Sequence, residues 1–183
     1  MDMICLYFPR LGVDLARRKR PQLIGRPVVL ISGHGEDAPV TSRSAEAGQL
    51  GVLPGMTAGE ARRAAPSAAF LPDNPGDREV ELERVATLVG ALGAPMFGLG
   101  DEQDRLFVPC PSLASQSEAI LGERLAGLVA STARIGAGPS ATAAFDAARA
   151  SRRSILPAPM PAQPSSQAVP GESARLAHFR RLG

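Results

Sequence analysis

Two short apolar segments limit the folds that this chain can adopt. Residues 3–8 are Met-Ile-Cys-Leu-Tyr-Phe, closed by Pro9, and residues 26–31 end in Val-Val-Leu-Ile before a Ser-Gly-His-Gly turn. Each is a short, continuous apolar run bounded by turn residues, which predicts a buried β-strand. Neither can span a membrane, because a span requires about 20 consecutive apolar residues. Elsewhere apolar residues return at helical spacing. The sequence therefore predicts a mixed α+β fold.

Helical patterns occupy much of the remaining chain. Residues 11–19 end in basic side chains, which suit the C-terminus of a helix. Thr57 and Glu60 have the spacing of a capping box, and Gly51 suits the end of a helix because it tolerates a positive φ. The other predicted helices span residues 44–50, 59–65, 77–93, 117–130 and 141–150.

Further strands and connectors follow from shorter signals. A third strand is predicted around residues 40–41, a fourth over 106–108 between Asp104 and Pro109, and a fifth over 134–138. The interval 71–76 predicts a connector, since it holds two prolines, an asparagine and a glycine. After Ile155 the chain becomes Pro-rich and predicts a linker, with prolines at 157, 159, 161, 164 and 170.

Composition permits a nucleic-acid partner without requiring one. The 183 residues are 44% hydrophobic and carry a net charge of +2, and Lys19 is the only lysine among many arginines. The densest basic run supplies four candidate DNA-binding residues, namely Arg17, Arg18, Lys19 and Arg20. The alternative is that this run is only the solvated end of a helix.

The sequence lacks the residue patterns typical of metal sites, secreted proteins and membrane proteins. Cys5 and Cys110 are the two cysteines and His34 and His178 the two histidines, and none of these residues has metal-ligand spacing with another. No secretory leader, lipidation signal or membrane span is recognisable, so a cytoplasmic protein is predicted.

A series of short motifs extends across residues 26–66. In order, they are Arg-Pro-Val-Val at 26–29, Ser-Ala-Glu-Ala-Gly-Gln-Leu-Gly-Val at 44–52, Pro-Gly-Met at 54–56, Glu-Ala at 60–61 and Pro66. This series resembles the fingers region of Y-family, UmuC-like DNA polymerases. With its flanking segments, the resemblance covers about residues 3–155.

The resemblance implies a domain organisation. Residues 1–25 and 75–155 would form a palm-like sheet with helices, and residues 26–74 a small fingers-like subdomain. Residues 156–183 would be a Pro-rich linker followed by the start of a truncated thumb-like region.

The same resemblance implies that the catalytic carboxylates are missing. In the family, carboxylates hold two metal ions that orient the triphosphate and activate the attacking hydroxyl. Tyr7 and Pro9 stand at the aspartate positions of the opening strand. In the second motif Asp104 remains, whereas Arg105 replaces the glutamate. A phenol is protonated near neutral pH and is a poor ligand for magnesium.

A second alignment of this motif stays open. It would use Asp101 and Glu102 as the carboxylate pair, but it needs an insertion before Leu106. It also leaves the opening strand without a ligand. Both alignments give an incomplete site, so no metal and no cofactor are expected.

The nucleotide-binding residues of the family are also replaced. Ala45 and Gly48 stand where the family has a tyrosine and an arginine that contact the incoming triphosphate. The pair Leu11 and Gly12 replaces the aromatic residues that select the sugar. The motif around Ala45 otherwise persists, which implies a retained scaffold without its ligand contacts.

These losses resemble the catalytically silent, ImuB-type members of the family. The resemblance implies a non-catalytic adaptor in DNA repair, specifically SOS mutagenesis and translesion synthesis. Its implied partners are an error-prone replicative-type polymerase, an ImuA-like protein and the sliding clamp. DNA binding would be weak, because the thumb and little finger would lie beyond Gly183.

Two other functions remain open at this point. The first is an active error-prone polymerase fragment that binds magnesium through Asp101, Glu102 or Asp104. The second is a small α/β protein-interaction module unrelated to polymerases.

Overall fold

The computed structural model describes residues 2–91, 98–99, 104–110, 114–129, 131–152 and 154–157. The strands in this part are β1 (Asp2–Tyr7), β2 (Val28–Ile31), β3 (Val40–Arg43), β4 (Ala69–Pro72), β5 (Gly98–Leu99), β6 (Arg105–Cys110), β7 (Ala133–Gly138) and β8 (Ser154–Ile155). The helices are α1 (Leu11–Lys19), α2 (Ala45–Gln49), α3 (Ala58–Ala64), α4 (Pro75–Ala91), α5 (Ala114–Leu125) and α6 (Ala141–Ala150). The fold is mixed α+β, as predicted.

The larger sheet has the strand order β5-β6-β1-β7-β8, and each neighbouring pair is antiparallel. Side chains alternate across the central strand β1. Ile4 and Leu6 pack into the main core, to which α1, α4 and α5 also contribute buried side chains. Cys5 points to the opposite face and packs against Ala144 and Ala148 of α6. Helices thus cover both faces of this sheet.

The smaller sheet has the order β3-β2-β4, in which β3 is antiparallel and β4 parallel to β2. All four residues of β2 are buried. Val29 and Ile31 share a cluster with residues of α2 and α3, whereas Val28 and Leu30 share one with Val13 of α1. Helix α1 therefore packs on both sheets, with Leu11 in the main core and Val13 against β2.

Polar caps begin α2 and α3, the two short helices that pack with the smaller sheet. We call these two helices and the smaller sheet the smaller unit, and the larger sheet with the other four helices the larger unit. The Ser44 hydroxyl caps α2 by accepting from the amide of Ala47 at 3.3 Å, and it also accepts from the amide of Val28 at 3.0 Å. The predicted capping box is confirmed: Thr57 accepts from the Glu60 amide at 3.2 Å, and Glu60 accepts from the Thr57 amide at 2.8 Å. Gly51 follows α2 with φ +90°, as predicted.

The structure corrects several boundaries. The interval 71–76 is not a connector: it holds the end of β4 and the start of α4, with Pro75 in the first turn, where its missing N–H costs little. Strand β6 passes through Pro109, which pairs with Met3. Proline is tolerated in a strand where no ladder hydrogen bond requires its missing N–H, so Pro109 does not end β6.

The remaining differences are smaller. Helix α5 begins three residues before the predicted start and ends earlier, at Leu125. The two-residue strands β5 and β8 were not predicted. The Pro-rich linker and the start of a thumb-like region predicted for 156–183 lie, from residue 158 onward, outside the described residues. None of the helices in the described ranges is long and apolar enough to cross a membrane.

Candidate functional site

A cleft of about 600 Å³ lies between the larger and the smaller sheet. We call it the central cleft. Its lining includes four of the positions that the sequence singled out, namely Tyr7, Pro9, Ala45 and Asp104. They come from β1, the loop after it, α2 and the residue that precedes β6. Positions that are about a hundred residues apart in the chain therefore meet in one place.

Tyr7 ends the central strand and lies between two arginines. It pairs in register with Arg105 on β6 and with Arg134 on β7. We call these three residues the cross-strand row. The Tyr7 ring meets Phe145 of α6 edge-on, with ring centroids 5.2 Å apart. Burial, with a smaller contribution from the Asp104 carboxylate, raises the pKa of the Tyr7 phenol, so it stays protonated at neutral pH.

Arg105 occupies the position where the resemblance places a glutamate. Its Nε donates to Asp104 Oδ1 at 2.7 Å, and its guanidinium lies 3.8 Å from the centroid of the Phe145 ring. The Arg105 side chain is only 14% exposed. The one carboxylate retained from the motif is thus already bound to a cation, and an aromatic ring holds that cation in place.

These residues do not fit the pair of metal ions that the resemblance implies. The cross-strand row offers a protonated phenol and two guanidinium groups, none of which is a ligand for a hard cation. In the part of the chain that the structure describes, no three His, Cys, Asp or Glu residues group together as metal ligands. Asp101 and Glu102, the alternative pair, lie outside the described residues.

Helix α2 carries the second motif in which the resemblance implies replaced residues. Ala45, in its first turn, lines the central cleft. Gly48, one turn further, faces Arg43, because a Cβ atom added at Gly48 would overlap the Arg43 guanidinium. The buried residues of the motif instead support the fold, with Ser44 and Ala47 both fully buried. The motif thus supports the fold through its buried residues and presents a small side chain, Ala45, to the cleft.

Three arginines that the sequence analysis did not select also line the central cleft. They are Arg10 in the β1–α1 loop, Arg43 at the end of β3 and Arg134 on β7. One sequence signal was available for Arg43: it directly precedes the Ser44 motif, and a glycine interrupts the following helix. Arg10 and Arg134 carry no such signal, because only the sheet topology brings them together.

The four basic residues at the end of α1 differ in their contacts and exposure. One Nη atom of Arg17 lies 2.8 Å from Glu46 Oε2 and 2.9 Å from the Arg26 carbonyl, and the Arg17 side chain is 15% exposed. Lys19 pairs with Asp77 of α4 at 2.6 Å. Arg17 thus ties α1 to α2, while Arg18, Lys19 and Arg20 are exposed. DNA contact by these four residues stays a prediction.

Leu11 and Gly12, which stand where the resemblance places an aromatic pair, both contribute to packing. Leu11 is 2% exposed in the main core. A Cβ atom at Gly12 would lie 2.8 Å from Leu30 Cδ1, so the small residue permits close packing of α1 on β2.

Comparison with known proteins agrees with this architecture. A family model described as the impB/mucB/samB family matches residues 6–145. DNA polymerase IV 2 of Mycobacterium bovis and that of Mycobacterium tuberculosis are each 38% identical over 101 residues, which cover 53% of this chain and 28% of the relative.

Solved structures share the fold. A chimeric Y-family DNA polymerase made from Dbh and Dpo4 has a TM-score of 0.73 at 20% identity, covering 84% of this chain and 47% of the other. DinB from Sulfolobus solfataricus has a TM-score of 0.72 at 22% identity, covering 86% and 48%. The chain spans about half the length of these structures, and its match spans under a third of the curated relatives.

Proposed function

Because the chain belongs to the impB/mucB/samB family, we propose that it is a non-catalytic Y-family polymerase-like adaptor in DNA damage-induced translesion synthesis. Such a protein would keep the polymerase fold as a binding scaffold and leave nucleotide transfer to another enzyme. The role fits a chain whose buried motif residues are retained while its cleft-facing ones are changed.

The cross-strand row carries this proposal. Nucleotidyl transfer requires carboxylates that concentrate two divalent cations beside the triphosphate. At the equivalent sheet positions this chain has Tyr7 flanked by Arg105 and Arg134. Arg105 and the Asp104 carboxylate form an ion pair, so Arg134 gives the row a net positive charge that would repel metal ions. The pairing also occupies the carboxylate that the motif retains.

An active error-prone polymerase fragment is the second candidate. The names of the curated relatives, DNA polymerase IV 2, favour it, and so do Asp101 and Glu102 in the alternative alignment. In this case magnesium would be the required cofactor. The third possibility, an interaction module unrelated to polymerases, is contradicted by the family match over residues 6–145.

We also propose the division of the chain into functional parts. The larger sheet, with β1 and β5–β8, falls within residues 1–25 and 75–155, which we assign as palm-like. The smaller sheet falls within residues 26–74, which we assign as fingers-like. Residues 156–183 are assigned as a Pro-rich linker and the start of a thumb-like region.

The proposed partners follow from the adaptor role. They are an error-prone replicative-type polymerase, an ImuA-like protein, the sliding clamp and, weakly, DNA, with Arg17, Arg18, Lys19 and Arg20 as candidate DNA contacts. A protein of this role acts in the cytoplasm during the SOS response.

Calorimetric titration with magnesium and a deoxynucleoside triphosphate tests the proposal. The matched control is the corresponding palm and fingers fragment of an active Y-family polymerase under the same buffer conditions. We expect the control to show a magnesium-dependent increase in nucleotide affinity and this chain to show none. A comparable magnesium-dependent increase in this chain would refute the adaptor proposal and favour the active fragment.

A further inference from the structure

The central cleft has an excess of positive charge. Arg10, Arg43 and Arg134 line it from three separate elements. Asp104 is the carboxylate among its described lining residues, and that group is bound to Arg105 at 2.7 Å. The rest of the lining includes hydroxyl groups, which can donate hydrogen bonds, from Thr41, Ser42, Thr132 and Ser154. A cleft with this lining favours an anion.

Arg43 is the cation in this lining with the clearest need for a ligand. Its Nε is buried and has no hydrogen-bond partner. The Nε atoms of Arg17 and Arg78 are in the same state, but those residues use their Nη atoms to bind Glu46 and Asp73. No ion pair or hydrogen bond compensates the Arg43 side chain within the described ranges of the chain. A half-buried guanidinium in this condition gains from an incoming anion.

The position of Arg43 also has a structural cause. Its guanidinium lies against Gly48, in the space that a side chain at position 48 would enter. A longer residue at 48 is incompatible with this placement of Arg43. The arginine on β3 and the glycine on α2 therefore form a complementary pair, in which the cation reaches the cleft from the strand rather than from the helix.

We propose that the central cleft binds phosphate groups without a metal ion, through Arg43 and Arg134 with Arg10 at its rim. Guanidinium groups offer a planar fork of donors that matches phosphate oxygens, and they supply the charge that metal ions would otherwise provide. The inference deepens the proposed function and rests on its metal-free cleft. The phosphate belongs to a nucleotide or to a DNA strand end.

Titration calorimetry in the presence of EDTA tests this inference. The probes are dATP, inorganic triphosphate, and one oligonucleotide with and without a 5′-phosphate. We expect binding without metal, weakened at least ~10-fold by Arg43→Ala and by Arg134→Ala, since charge-assisted hydrogen bonds are lost. Arg63→Ala on the exposed face of α3 is the matched control and should bind as the unaltered chain does.

The probes also identify the source of the phosphate. Stronger binding of dATP than of the oligonucleotides assigns a nucleotide, whereas a gain from the 5′-phosphate assigns a strand end. Absence of binding in EDTA, or an equal loss in Arg63→Ala, would overturn the inference. The adaptor proposal fails on a different result, namely a magnesium-dependent increase in the nucleotide affinity of this chain. The two failures are therefore distinguishable.

A swap variant separates ligand binding from folding. Arg43→Ala combined with Gly48→Arg returns the guanidinium to the helix, and binding should recover to within ~3-fold of the original affinity, because the same charge-assisted contacts are possible. Thermal melting of each variant shows that it is folded. A folded swap variant that does not regain binding would overturn the pairing of Arg43 with position 48.

Discussion

The two motifs in which the resemblance implies replaced residues lie in different parts of the molecule, one in the larger sheet and the other on α2 beside the smaller sheet. In the larger sheet these positions hold large side chains, and Tyr7 and Arg105 both contact Phe145. On α2 they hold the small residues Ala45 and Gly48, and the Arg43 guanidinium lies against Gly48.

The difference shows that fold and chemistry depend on different residues. The buried positions of both units keep the apolar or hydrogen-bonding residues that packing requires, such as Leu6 in the main core and Ser44 beneath α2. The cleft-facing positions lie at the margins of those cores: Tyr7 is partly buried against the Cys5 cluster, and Ala45 is exposed. Changes at such positions disturb less packing than changes at Leu6 or Ser44.

A glycine in each unit gives the largest expected contrast. A Cβ atom at Gly136 would overlap backbone atoms of Ala147 and Ala148 in α6, which cannot move independently of the helix. Gly136→Ala should therefore destabilise the protein by about 3 kcal/mol or more. At Gly48 the obstacle is the movable end of Arg43, and Gly48→Ala should change the stability by less than ~1 kcal/mol, because alanine also favours the helix.

Urea unfolding of the two variants checks this contrast. Gly90→Ala, where the added Cβ meets nothing within 4 Å, is the control for helix propensity alone. Similar losses at Gly136 and Gly48 would mean that Arg43 cannot move from its position.

An intermediate effect is expected at the cap of α2. The buried Ser44 hydroxyl accepts from the amides of Ala47 and Val28. Ser44→Ala leaves both amides without that acceptor, so it should cost about 1–2 kcal/mol of unfolding free energy. Ser140→Ala is the matched control, because Ser140 caps α6 through the single Ala143 amide at an exposed site. Denaturant titration should rank the loss at Ser44 above the loss at Ser140.

Much of the architecture could be predicted from local signals. The bounds of α1 and α6 were predicted correctly, because each has a clear stop and a consistent apolar stripe. Strand β4 was missed, since Ala69–Pro72 is short and its parallel pairing with β2 depends on residues forty positions away. Likewise, β5 and β8 are two-residue strands that are defined only by their pairing.

The candidate site, like the fold, could be predicted from local signals only in part. Motif spacing selected Tyr7, Pro9, Asp104 and Ala45, and the structure brings these positions to one cleft. The excess of arginine there was not predictable, because Arg10, Arg43 and Arg134 are distant in sequence and meet only through the sheet order. Motif spacing selects positions along the chain, whereas the sheet topology determines which distant side chains meet them.

The smallest expected effect is a pH dependence of the stability through the Arg17–Glu46 ion pair, which joins α1 to α2. Burial alone would raise the pKa of Glu46, but hydrogen bonds from Ser44, from its own amide and from Arg17 lower it below the ordinary value of 4.5. The folded state therefore gains stability above that pH and loses it as the pH falls through the lowered pKa. The contribution should be below ~1 kcal/mol, because the pair is partly exposed to solvent.

Thermal melting between pH 7 and pH 3 checks this sign. Glu46→Gln should reduce the acid-induced loss of stability relative to the unaltered chain. Glu83→Gln, on the exposed side of α4, is the control. An unchanged pH profile in Glu46→Gln would show that the Arg17–Glu46 contact does not stabilise the folded state.

The proposal of a non-catalytic cleft requires that the cross-strand row binds no divalent cation. Electron paramagnetic resonance titration with Mn²⁺ in the absence of nucleotide measures this, using the unaltered chain beside a Tyr7→Asp, Arg105→Glu variant that introduces two carboxylates. We expect the unaltered chain to leave the signal of free Mn²⁺ unchanged, and the variant to remove part of that signal. Loss of the free Mn²⁺ signal with the unaltered chain at similar concentrations would refute the proposal.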